Sequence, residues 1–136
     1  MEVLSSRVLL SPLDFDRSLR WYTDVLGLRI YREYGAEGQL TGVVLFLGGG
    51  FLELTSGGLR RRDGADPPPM TLWLQVPDVD AEHDRLVGSG EVKVLTPPKT
   101  MPWGLKEMWI EDPDGVRLVI VEVPEVHPLR RRLDTG

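Results

Sequence analysis

Apolar residues along this chain follow two rhythms, one alternating and one helical, and the same order of rhythms occurs twice. Arg7-Val-Leu-Leu runs through Ser-Pro-Leu into Asp14-Phe-Asp16. Thr71-Leu-Trp-Leu runs through Gln-Val-Pro into Asp78-Val-Asp80. Each stretch predicts a short strand followed by a helix, and either Asp of each pair can cap that helix by accepting a backbone N–H. In the first half, Phe15, Leu19, Tyr22 and Leu26 recur on one helical face. They predict a helix over Asp16–Leu26, with Gly27 as its stop. Leu28–Tyr34, Gly42–Leu47 and Phe51–Thr55 then read as strands, the last two joined by Gly48-Gly49-Gly50.

The second half repeats the order. A helix is predicted over Val79–Val87, ending at Gly88-Ser-Gly90. Strands follow at Val92–Leu95, Glu107–Ile110 and Arg117–Val123. Asp112-Pro-Asp-Gly115 is a strong turn signal, because Pro presets φ and Gly accepts a positive one. It makes the last two strands a hairpin. The pattern is therefore β-α-β-β-β twice, an α+β class. Residues 5–56 form one module and residues 70–123 the other, within one domain spanning 1–136. The Gly/Pro/Arg-rich stretch 57–69 is read as a linker, and the charged stretch 124–136 as a surface tail. A sheet with a helix on one face must still cover the other. Two such modules curving their free faces around a cleft would meet that need.

Composition narrows the chemistry. The chain has 136 residues and no cysteine, so disulfides, thiolate catalysis and cysteine-ligated metals are excluded. A net charge of −5 argues against nucleic acid as a partner and weakly favours a cationic ligand. No apolar run approaches the roughly 20 residues of a membrane helix. Met1-Glu-Val-Leu-Ser-Ser lacks the features of a secretory signal, so a cytoplasmic protein is expected.

Asp14-Phe-Asp-Arg-Ser-Leu-Arg-Trp-Tyr-Thr-Asp-Val-Leu-Gly-Leu28, together with Asp112-Pro-Asp-Gly115 before an apolar strand, resembles the vicinal oxygen chelate superfamily of glyoxalases, bleomycin-resistance proteins and ring-cleaving dioxygenases. The resemblance covers about Ser6 to Glu122. It implies two βαβββ modules forming a curved-sheet domain with a cleft, often in a homodimer. It also implies a divalent metal in the cleft of the enzymes, held from the first and last strand of each module. Those positions fall here on Arg7, Glu53, Thr71 and Val119. Arg has no lone pair to give, Val cannot ligate, and Thr is a poor ligand. A catalytic metal needs about three protein donors. No metal or other cofactor is therefore expected, with a divalent ion on displaced ligands the disfavoured alternative.

Arg7 and Glu53 are the sharpest candidates. On the family's geometry both face the cleft, where the guanidinium can take the metal's place against the carboxylate. Their bland reading is a structural ion pair. Trp73 shares strand parity with Thr71, and Trp103 lies in the loop Thr100-Met-Pro-Trp-Gly104, so Thr71, Trp73 and Trp103 join Arg7 and Glu53 as ligand-binding candidates. Trp109 reads as core. His83 falls with Val79 and Leu86 on a helix stripe, as a core or edge residue, and His127 as a surface one. Arg60–Arg62 and Arg130–Arg132 read as solvated surface.

Three readings are carried forward. The first is binding of a small cationic or aromatic molecule in the cleft without a catalytic metal. The second is a lyase, isomerase or dioxygenase, either metal-dependent on displaced ligands or metal-free with Glu53 and Arg7 as catalytic residues, Glu53 acting as a general base. A module with a filled cleft and a purely structural or regulatory role is the third.

Overall fold

In a computed structural model the described residues are 1–56 and 69–129. The runs Arg60–Arg62 and Arg130–Arg132, and nearly all of the expected linker, lie outside them. The chain divides into two compact units, Met1–Pro68 with Pro113–Gly115, and Pro69–Asp112 with Val116–Gly136. Each is a βαβββ module with a four-stranded mixed sheet.

The first unit is built from β1 (Arg7–Leu10), α1 (Phe15–Arg20), β2 (Ile30–Ala36), β3 (Gln39–Leu47) and β4 (Gly50–Thr55). The strand order is β1-β4-β3-β2, with β1 parallel to β4 and the rest antiparallel. Asp14, not Asp16, is the N-cap, accepting the Arg17 N–H at 3.0 Å. Helical structure continues beyond α1 as a π-helical turn over Trp21–Val25, so the expected single helix is two kinds of helix in series. Gly27, at φ 90°, follows. Val43, Leu45, Leu52 and Leu54 are buried, and α1 packs on β4. The period-two alternation of β4 sends Phe51 and Glu53 to the opposite face.

The second unit repeats this plan with β5 (Thr71–Gln75), α2 (Val79–Ser89), β6 (Lys93–Thr100), β7 (Lys106–Glu111) and β8 (Arg117–Glu122), ordered β5-β8-β7-β6. Asp78 caps α2 through the Ala81 N–H, and Gly90, at φ 70°, ends it in the left-handed region that favours glycine. Leu72, Met108, Ile110, Leu118 and Ile120 are buried on the sheet face that includes the contacts with α2. The turn after β7 forms as expected. Asp112 accepts the Val116 N–H through its side chain at 2.8 Å and donates its own N–H to the Val116 carbonyl.

Three strands depart from the reading of the sequence. β6 was expected to end at Leu95 but runs through Pro97 and Pro98 to Thr100. It is an edge strand, and its register shifts between Thr96 and Lys99, which is where a sheet tolerates residues without an N–H. β2 and β3 also extend to a two-residue turn at Glu37-Gly38, where both residues have positive φ. This is the geometry that matches the twist of a tight hairpin.

Candidate functional site

On the face of the first sheet away from its buried leucines, three strands bring three polar side chains together. Arg7 on β1 donates from Nη1 to Glu53 Oε1 at 2.6 Å, and Tyr34 on β2 donates its hydroxyl to Glu53 Oε2 at 2.5 Å. Glu53, on β4, is only 8% exposed. Both of its oxygens are thus engaged by donors on other strands. The pairing expected for Arg7 and Glu53 is present. Tyr34 was not singled out from the sequence.

Tyr34 reaches Glu53 across an intervening strand. Tyr34 pairs with Gly42 on β3, and Gly42 pairs with Thr55 on β4, two positions from Glu53. A Cβ on Gly42 would lie 2.0 Å from the Tyr34 ring, so the phenol lies across ground that only glycine leaves open. The hydrogen bond from Tyr34, and then that from Arg7, hold the Glu53 carboxyl below its ordinary value, against the effect of burial. Reciprocally, donation to Glu53, followed by burial, raises the Tyr34 phenol. The carboxylate is stabilised as the anion and the phenol as the neutral donor.

Beside this cluster stands an aromatic group that the sequence did not flag. Phe46 and Phe51 are cross-strand partners with centroids 5.9 Å apart. Tyr31 meets Phe46 edge-on at 5.1 Å and Phe51 at 4.9 Å. Arg7 lies 6.0 Å from the Phe51 centroid and Arg29 lies 5.8 Å from that of Phe46, within cation–π range. Tyr31 is half exposed, and Phe46 and the Arg7 side chain are each about 40% exposed. Aromatic residues on separate strands gave no periodic signal. Ladder register pairs Phe46 with Phe51, and Tyr31 meets both from the irregularity of β2 between Ile30 and Arg32.

The second sheet carries the remaining candidates. Thr71 and Trp73 on β5 are exposed, Trp73 at 50%. Val119 is buried between Trp73 and Trp109 in the ladder. Trp109 is partly buried against Leu105, Val119, Val121 and Val123, which agrees with its reading as packing. Trp103 is exposed but donates its indole N–H to Glu107 at 2.8 Å. His83 is a half-buried helix residue 3.3 Å from Asp84, and His127 accepts the Leu129 N–H through Nδ1.

The four positions where the resemblance implies metal ligands do not fit a divalent ion. Arg7 is a donor only, Val119 offers nothing, and the one carboxylate, Glu53, already has a donor on each oxygen. Among the described residues no group of three or more His, Cys, Asp or Glu side chains is arranged to hold a metal. Among the same residues no helix is long and apolar enough to cross a membrane.

Comparison with known proteins places these modules. The family model for the glyoxalase/bleomycin resistance protein/dioxygenase superfamily matches residues 6–120. The chain belongs to this superfamily. Among solved structures, TioX from Micromonospora sp. ML1 is similar at 24% identity and a TM-score of 0.72, over 88% of this chain and 98% of TioX. A superfamily member from Sphaerobacter thermophilus DSM 20745 is 25% identical with a TM-score of 0.68, over 89% and 98% of the two chains. A glyoxalase/bleomycin resistance protein/dioxygenase from Nocardioides is 16% identical with a TM-score of 0.71, over 97% and 91%. No curated protein matches the chain significantly.

Proposed function

We propose that this superfamily member binds a small aromatic molecule on its open sheet faces and uses no catalytic metal. The observation that carries the reading is the closure of Glu53 by Arg7 and Tyr34, beside the exposed rings of Tyr31 and Phe46. A carboxylate with both oxygens engaged is a weak metal ligand. Its lowered pKa also makes it a weak base, which argues against a catalytic role for Glu53. Arg7 retains donors beyond the one used on Glu53 and is partly exposed, so it is the group that would meet a polar substituent of the ligand. Aromatic rings already held by their neighbours offer stacking area at little entropic cost. We take the protein to be a homodimer that works in the cytoplasm, and sedimentation velocity on the full chain tests the first of these.

Two measurements test the main reading. Elemental analysis of the purified protein should find no stoichiometric Zn, Ni, Fe or Mn, and chelator treatment should leave its thermal stability unchanged. Titration with a panel of aromatic amines, acids and alcohols, followed by NMR, should shift the ring signals of Tyr31, Phe46 and Phe51 in a saturable way. A stoichiometric metal, or rings silent to every compound, would overturn it.

A further inference from the structure

The second sheet holds a carboxylate that the reading above does not use. Glu107, on β7, is 7% exposed. Its one hydrogen-bond donor among the described residues is the neutral indole of Trp103, on Oε2, which leaves Oε1 without a protein donor. No cation lies within ion-pair distance of it among those residues. Lys99, its ladder partner on β6, is exposed and forms no ion pair with it.

This contrasts with Glu53, whose burial is matched by an Arg and a Tyr. A mostly buried carboxylate with a single neutral donor, and one oxygen still in contact with solvent, presents that oxygen to a cationic partner. Its surroundings select the kind of cation. β7 alternates, so Leu105, Glu107 and Trp109 face the same side, away from buried Met108 and Ile110. The ladder row through Glu107 continues to Val121 and Gln75, and the row through Trp109 continues to Val119 and Trp73. The carboxylate thus rises from an apolar floor of Leu105, Val119, Val121 and Val123, with Trp103 bonded to it. Trp73 and Trp109 are on the same face. Indole is the best cation–π partner among side chains, and apolar surroundings favour an organic cation over a strongly hydrated ion such as Na⁺.

We infer that this face of the second unit is a recognition site for the ammonium or guanidinium group of an organic cation, with Glu107 as counter-ion and tryptophans as walls. The inference deepens the proposed small-molecule binding by naming the charge of the ligand, and it can fail while that reading stands.

The probe is benzyltrimethylammonium, with benzyl alcohol as its neutral counterpart, titrated into the full chain and followed by tryptophan fluorescence. The ammonium should quench saturably and bind at least about tenfold tighter than the alcohol, the discrimination that about 1.4 kcal/mol of charge recognition provides. Glu107→Gln keeps an oxygen for the Trp103 N–H but removes the charge. It should lose that tenfold preference while leaving alcohol binding within about twofold. A preference that survives in Glu107→Gln, or equal affinities in the parent protein, would overturn the inference. Should the variant not fold, the parent protein still decides: the Trp103 indole N–H resonance must shift with the ammonium and not with the alcohol. Ring shifts at Tyr31 and Phe46 with either compound, and no Trp103 shift, would leave the first-sheet reading intact and remove this one.

Discussion

Gly42 stands directly opposite Tyr34 in the β2–β3 ladder, and the phenol crosses the space where any other residue would place its Cβ. This pairing lets a side chain on the edge strand β2 reach Glu53, two strands away. Gly42→Ala should therefore push the ring aside and break the Tyr34–Glu53 hydrogen bond. A buried acceptor deprived of its donor costs about 1–3 kcal/mol. Urea denaturation should show that loss in the midpoint at an unchanged m-value. A variant as stable as the parent would show that the ring has another path to Glu53.

Tyr34→Phe removes only the hydroxyl. It should cost roughly 1.5–3 kcal/mol, the range for a hydrogen bond to a charged group. Because the Tyr34 bond is the first cause of the depressed Glu53 titration, the same variant should move Glu53 upward toward its ordinary value. Carbon-detected NMR of the Glu53 carboxyl through an acid titration reads this shift directly.

The stability of the first unit should depend on pH in two windows. Glu53 titrates lower in the folded protein than the ordinary 4.5, so the unfolded chain binds the proton first as pH falls. The stabilisation is complete above about pH 4.5 and is lost as pH drops through the folded value. Tyr34 titrates above its ordinary 10.0, so its contribution is complete below about pH 10 and declines as pH rises through the folded value. Denaturant midpoints measured at acid pH should fall less steeply in Tyr34→Phe than in the parent protein.

Arg7→Met removes the cation but leaves the carboxylate buried. Breaking a buried pair costs about 3–5 kcal/mol, but the Arg7 side chain is 40% exposed, so solvent screening should reduce the loss to about 1–2 kcal/mol. A double-mutant cycle with Glu53→Gln should give a coupling energy clearly different from zero. Additive effects would mean that the two side chains stabilise the fold independently.

Asp112→Ala tests the turn between β7 and β8. Asp112 is buried, and its carboxylate accepts the Val116 N–H at 2.8 Å. Loss of that acceptor should cost about 1–3 kcal/mol and speed amide exchange at Val116. Hydrogen exchange followed residue by residue checks both the size and the location of the effect.

The repeated order of strand, Asp pair, helix and three strands was legible in the sequence because each piece rests on local physics. Helix faces follow from spacing, capping from the two Asp-x-Asp pairs (of which the structure uses Asp14 and Asp78), and the last turn from Asp-Pro-Asp-Gly. The sequence reading also placed Arg7 and Glu53 together, through the resemblance. Periodicity could not reveal the π-helical turn over Trp21–Val25, which has no spacing signature of its own, or the run of β6 through two prolines, which depends on its being at a sheet edge. Tyr34, the Tyr31–Phe46–Phe51 group and Glu107 were likewise invisible. Each owes its setting to strand register, and register brings together residues that are distant in the chain. The sequence by itself therefore determined the elements, their order and the chemistry available at each position. Only the tertiary structure decided which carboxylate has both oxygens bonded within the protein and which keeps one open to solvent, because that balance depends on how the strands and loops are brought together.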